Sequence, residues 1–130
     1  MPSIFTKIIN REIPSYTVAE NENFIAFLDT NPLTLGHTLV VPRKEVDYFF
    51  DVDDDLLSQM ILFSKRVSSA IKKTTNCKRV GVAVIGFEVP HAHLHLVPMN
   101  DMGDINFANP KLKLSKEEFE KVLNEIKANF

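Results

Sequence analysis

His91-Ala92-His93-Leu94-His95-Leu96-Val97 places three of the chain's four histidines two residues apart, with an apolar residue between each pair. A period of two is that of a β-strand. The spacing therefore predicts a strand with His91, His93 and His95 on one face and Ala92, Leu94 and Leu96 on the other. Same-face neighbours on a strand lie roughly 6.5–7 Å apart. Three such imidazoles line a shallow surface about as long as a phosphate ester with its leaving group, while the opposite side chains belong to a core.

Working outward, Val80–Ile85 and Phe87–Val97 read as two antiparallel strands joined near Gly86, with Pro98 ending the second. Upstream, Asp53-Asp54-Asp55 opens a helix, since acids complement its positive N-terminus. Leu57, Met60, Ile61, Val67 and Ile71 follow at helical spacing, and Lys65, Arg66, Lys72 and Lys73 face solvent or the C-terminal end. Earlier still, His37–Pro42 reads as a strand and Asn31–Gly36 as a loop, with Gly36 serving the backbone turn. Thr17–Glu20 and Phe24–Asp29 are strands around the polar turn Asn21-Glu22-Asn23. Ile4–Asn10 forms a short helix closed by Ile13-Pro14. Downstream, Ser115 and Glu118 form a capping box ahead of a helix with the apolar stripe Phe119, Val122, Leu123 and Ile126. The expected class is α+β: an antiparallel β-sheet of about five strands, a long helix and a C-terminal helix, with one face covered. One domain is expected over 1–130, with the motif-bearing part at 3–99 and a helical extension at 100–130.

The chain has 130 residues, 45% of them hydrophobic and 25% charged. A net charge of -2 argues against a broad electrostatic grip on nucleic acid, but a single nucleotide is not excluded. Cys77 is the sole cysteine, so no intramolecular disulfide is possible. No apolar run reaches the roughly 18 residues of a membrane span. Met1–Lys7 lacks the basic start and apolar stretch of a signal peptide, so a cytoplasmic protein without a membrane partner is expected.

Three readings compete for His91, His93 and His95. Hydrogen-bonded structural rings are one, although three in register demand many polar partners. A zinc site is the second, with His37 or Glu88 as a further ligand. Nucleophilic catalysis at phosphorus is the third. A neutral imidazole attacks a phosphoryl group to give a phosphoramidate that water then cleaves, while neighbouring rings supply protons and stabilise charge. A pKa near 6.5 suits histidine to both tasks at neutral pH.

At these residues the sequence resembles the histidine triad (HIT) family, whose signature is His-φ-His-φ-His-φ-φ with φ apolar. Ile4-Phe5 through Ile8-Ile9 and Glu12-Ile13-Pro14 resemble its N-terminal segment. Phe27-Leu28-Asp29-Thr30-Asn31-Pro32 and Gly36-His37-Thr38-Leu39-Val40-Val41-Pro42 resemble its first conserved block. The branch is most similar to bacterial and Hint-type members that act on nucleoside monophosphate derivatives. The resemblance implies a purine nucleotide or nucleotide conjugate as partner, no cofactor, and a homodimer. It implies His93 as the nucleophile, His95 beside the phosphate and leaving group, and His91 and His37 fixing the ring tautomers. Asp29 would accept hydrogen bonds from the ribose hydroxyls. Phe27, Gly86 and Glu88 would complete the nucleotide contacts. A nucleotide-binding regulatory protein with little turnover is the alternative.

Two departures from the family pattern stand out. Many relatives carry Cys-x-x-Cys near the N-terminus, and in some those thiolates hold zinc together with histidines. Here the matching positions are Ser3, Thr6 and Glu45, poor replacements for such ligands, so no metal is expected. The segment before the triad usually carries Gly-Gln-Ser/Thr to hold the phosphate. Here it reads Ile85-Gly86-Phe87-Glu88-Val89-Pro90, and Glu88 stands in the place of the hydroxyl.

Overall fold

The computed structural model describes residues 2–130. Its elements run α1 (Ile4–Ile9), β1 (Thr17–Glu20), β2 (Phe24–Leu28), β3 (Thr38–Pro42), α2 (Asp54–Thr75), β4 (Arg79–Ala83), β5 (Leu94–Met99) and α3 (Lys116–Asn129). Short 3-10 turns at Phe49–Asp51 and Met102–Ile105 interrupt the connections. The five strands form one antiparallel sheet in the order β1-β2-β3-β5-β4.

The helices begin and end where their caps dictate. Asp53 accepts the Leu56 amide at the start of α2, Asp54 and Asp55 occupy its first turn, and Asn76 ends it in the left-handed region at φ 55°. Ser115 and Glu118 form the expected capping box of α3. α1 is capped by Ser3, whose hydroxyl accepts the Thr6 amide.

Every residue of β2 and β3 is buried, because both faces of these central strands are covered. On one face Phe24, Ala26, Leu28 and Val40 join Met60, Phe63, Val67 and Ile71 of α2 and Phe119, Val122 and Ile126 of α3. Ala92, Leu94 and Leu96 pack into this same main core, as the alternation in their stretch predicts. On the opposite face Ile25, Phe27, Leu39 and Val41 pack with Phe5 of α1. The small α1 layer leaves part of that face open, and the opening is where His37, His93 and His95 lie. Among the described residues, no helix is long and apolar enough to cross a membrane.

The strand around the triad is shorter and later than its spacing predicts. β5 begins at Leu94, so His91 and His93 precede it, and residues 84–93 form a bent connection. The Ala92 amide donates to the Val46 carbonyl and the His91 amide to the Val89 carbonyl, which takes both out of the sheet ladder. Nor does Pro98 end the strand, since it pairs opposite Val80. β3 stops registering with β5 at Thr38↔Leu96. The proline therefore lies where only β4 runs alongside, and its missing N–H breaks no bond to β3.

Candidate active site

A cavity of about 480 Å³ opens between α1, the ends of β2 and β3, the 85–89 connection and residues 107–111. Asp29, His37, His93 and His95 form its polar end, while Ile4, Phe5, Ile8, Phe27, Leu39 and Val89 form an apolar end. Gly86, at φ 83° on an open turn, and Glu88 stand on one rim. His91 does not line this cavity. It is wholly buried behind it, because the bend at residues 91–93 turns its ring toward α1 instead of along a common strand face.

Two hydrogen-bond chains fix the protons on the four imidazoles. In the first, the Leu33 amide donates to His37 Nδ1 over 3.0 Å. An amide nitrogen can only donate, so His37 Nδ1 is bare and its proton sits on Nε2. His37 Nε2 lies 2.9 Å from His95 Nδ1 and donates to it. His95 in turn holds its proton on Nε2. Burial, with a contribution from Lys111, pushes the His37 pKa down to about 4. Burial and the neighbouring His37 and His93 rings push His95 down to about 3. Both rings are neutral at pH 7, as the chain requires.

In the second chain, His91 Nε2 is 2.8 Å from the Pro42 carbonyl, which can only accept. That nitrogen therefore carries the proton, leaving Nδ1 bare to accept from the Ser3 hydroxyl at 2.7 Å. Burial holds the His91 pKa below its usual value, against the opposing effects of the Pro42 bond and Glu45. His93 Nδ1 donates to the His91 carbonyl at 2.7 Å, so Nε2 of a neutral His93 is the free lone pair. The His93 and His95 rings stand 5.1 Å apart at 63°. An imidazole with an open lone pair thus sits beside one with a proton to give.

Asp29 directly follows β2, with one-fifth of its side chain exposed to the cavity. Its Oδ1 accepts the Asn31 amide at 2.8 Å, and Oδ2 lies 3.6 Å from His37 Nε2. Burial raises its pKa, with the Asn31 amide pulling the other way. Asp29, His37 and His95 are close enough to suggest a metal cage. The proton assignments argue otherwise. A cation there needs the His37 Nε2 lone pair, which would place a proton on Nδ1 against the Leu33 N–H.

The Ser3, Thr6, Glu45 and His91 cluster is equally unsuited to zinc. Glu45 Oε1 accepts the Ser3 amide and the Thr6 hydroxyl, each at 2.6 Å, and the Ser3 hydroxyl donates to His91. Two neutral hydroxyls already engaged as donors are poor zinc ligands.

Sequence reasoning missed the 107–111 wall. The Phe107 ring stands 4.8 Å from His95 and 6.2 Å from His37. Lys111 lines the cavity with its ammonium anchored on the Phe107 and Asn109 carbonyls at 2.6 and 2.9 Å. This segment has no periodicity. The signal available was a lysine directly after Asn109-Pro110, at the end of a stretch rich in turn residues.

A HIT domain family model matches residues 10–102. The chain is 37% identical to a HIT-like protein of Borreliella burgdorferi, over 97% of this chain and 96% of that one. It is 36% identical to the adenosine 5'-monophosphoramidase HNT1 of Saccharomyces cerevisiae, over 75% of this chain and 63% of the yeast protein. A histidine triad nucleotide-binding protein of Sulfolobus tokodaii superposes with a TM-score of 0.82 at 31% identity, covering 97% and 90% of the two chains. A HIT-like protein from Bartonella henselae gives 0.84 at 29% identity, covering 98% and 96%. With the triad, the sheet order and these likenesses in agreement, the chain belongs to the HIT family.

Proposed function

We propose that this protein is a nucleotidyl hydrolase or transferase that cleaves purine nucleoside phosphoramidates or related nucleotide conjugates. The observation that carries the reading is the pairing of opposite tautomers: a bare Nε2 on His93 next to a protonated Nε2 on His95. His93 Nε2 attacks the phosphoryl group, a P–N bond to the ring forms, and the bond from phosphorus to the leaving amine breaks. His95 Nε2–H donates a hydrogen bond to that amine, which takes up a proton from solvent as it leaves. The His91 carbonyl stabilises the positive charge left on the His93 ring through Nδ1–H. Water then attacks phosphorus, loses its proton to solvent, and releases the nucleotide and His93. The similarity to the yeast phosphoramidase supports this choice of leaving group.

The apolar end of the cavity suits a flat purine, and Asp29 suits the ribose hydroxyls. β4 is an edge strand with Val82 exposed, followed by exposed Val84, Ile85 and Phe87. We infer a homodimer that covers this edge in the cytoplasm, checked by sedimentation equilibrium.

The test of the function is mass spectrometry of the protein mixed with adenosine phosphoramidate. A nucleotidyl adduct on His93, absent in His93→Ala, is the expected result. His93→Ala retaining more than about a tenth of the wild-type kcat would remove the nucleophile role. One observation favours slow turnover and hence a binding role: Glu88 and Asp29 put two carboxylates around an anionic ligand, against the single ammonium of Lys111. A protein that binds AMP but forms no adduct would establish that second reading.

A further inference from the structure

Ser3 performs two tasks at once. Its Oγ accepts the Thr6 amide at 3.0 Å, capping α1, and donates to His91 Nδ1 at 2.7 Å. Ser3 is buried despite its place at the start of the chain, and His91 has no exposed surface. Two further groups hold the serine in place. Glu45 Oε1 takes the Ser3 amide and the Thr6 hydroxyl, each at 2.6 Å, and these bonds hold its own pKa at about 2. The Thr6 proton goes to that carboxylate, so it does not compete with Ser3 for His91. Phe5, between Ser3 and Thr6, stands edge-on to His91 and His93 at 5.9 and 5.0 Å.

Resting on the function proposed above, we propose that Ser3, Thr6 and Glu45 are positioning residues for the His93 nucleophile. The Pro42 carbonyl sets His91 as the Nε2–H tautomer, and the cluster gives the bare Nδ1 a donor, so the ring is held at both nitrogens. The His91 carbonyl, two residues away, then meets His93 Nδ1–H and leaves His93 Nε2 free. α1 also contributes Ile4, Phe5 and Ile8 to the cavity wall. The element that builds the apolar end of the pocket therefore aligns the reacting ring as well, and docking of six residues couples the two. Without the Ser3 donor, His91 Nδ1 loses its 2.7 Å partner and the ring is held only through Nε2–H on the Pro42 carbonyl.

Glycine is nearly as good an N-cap as serine but has no hydroxyl, so Ser3→Gly separates the cap from the donor. Ser3→Thr keeps both. The expected result for Ser3→Gly is a kcat about ten-fold lower with KM within two-fold, a small change in Tm, and recovery of most activity in Ser3→Thr. In nitrogen-15 NMR of the histidine rings, wild-type His91 should read as the Nε2–H tautomer, and Ser3→Gly should keep that tautomer with the Nδ1 resonance shifted by loss of its hydrogen bond. Glu45→Gln, which still offers an Oε1 acceptor, should stay near wild type, whereas Glu45→Ala should shift kcat in the same direction as Ser3→Gly. An unchanged kcat, a loss confined to KM, or an unchanged His91 Nδ1 resonance in Ser3→Gly overturns the proposal. An inert wild type sinks the proposed function instead. The ring spectra of His91 and His93 still judge the positioning role in that case.

Discussion

His37 Nε2 lies 2.9 Å from His95 Nδ1, and the Leu33 amide on the far side of the His37 ring decides which of the two nitrogens carries the proton between them. The order of donors runs from the main chain through two neutral rings to His95 Nε2–H in the cavity. His37→Ala removes the middle of this chain and frees His95 to populate both tautomers. The expected loss is about ten-fold in kcat for amine leaving groups, which need a proton, and much less for leaving groups that depart as stable anions. A series of adenylates graded in leaving-group pKa checks it. Equal losses across the series would mean that His37 only packs against His95.

Acid should destabilise the fold earlier than carboxylate titration alone predicts. In the unfolded chain His37 and His95 bind protons near pH 6.5, but in the folded protein burial holds them neutral down to about 4 and about 3. Between those limits the unfolded state takes up more protons, so stability is complete above about pH 6.5 and falls as the pH drops. The loss by pH 4 is on the order of a few kcal/mol. Asp29, raised by burial, opposes this weakly, and Glu45 adds its own loss only below about pH 4.5. Urea midpoints measured from pH 7.5 to 4.5 should decline, and His95→Asn should flatten the slope.

Asp29→Ala should weaken binding of ribonucleotides but not of analogues lacking both ring hydroxyls. A hydrogen bond to a carboxylate contributes about 1.5–3 kcal/mol, so the ribonucleotide loss should be about ten-fold or more. Titration calorimetry on the two ligand types separates the cases. Equal losses would assign Asp29 to the Asn31 turn it already caps.

Charge at the rim should tune the rate. Glu88→Ser removes a carboxylate from the cavity edge and adds a donor, and should raise kcat/KM for phosphoramidates by about five-fold, equivalent to roughly 1 kcal/mol of relieved repulsion. Lys111→Met should act in the opposite direction, since Lys111 is the cation among the cavity-lining residues. No response to either change would place both charges away from the phosphoryl group.

Purified protein should carry no stoichiometric zinc, because the hydroxyls of Ser3 and Thr6 are engaged with His91 and Glu45. Elemental analysis after dialysis checks this, and about one zinc per chain would contradict it.

Where side-chain periodicity and caps govern the backbone, the sequence could be read directly. β2 and β3 alternate between two cores, and α2 and α3 start at Asp53 and Ser115 as their capping groups dictate. The triad misleads because its two-residue period runs on while the backbone has already turned. The Val46 carbonyl, 46 positions earlier than Ala92, takes the amide that a ladder would use. No local signal reports such a partner. Phe107 and Lys111 were hidden for a related reason. Side-chain-to-backbone bonds shape their segment, among them Asp104 on the Asn100 amide and Asn109 on the Gly103 carbonyl. Such bonds carry no period.

Both proton chains end on peptide groups: the Leu33 N–H in one, and the Pro42 and His91 carbonyls in the other. Every residue but proline offers the same peptide groups, so substitutions at position 42, and any but proline at position 33, leave these anchors in place while the backbone path survives. The walls that would meet a leaving group, by contrast, are side chains on α1, on the 85–89 connection and at 107–111. A lineage carrying this fold can therefore drift in what its cavity admits, residue by residue, without losing the frame that holds its imidazoles.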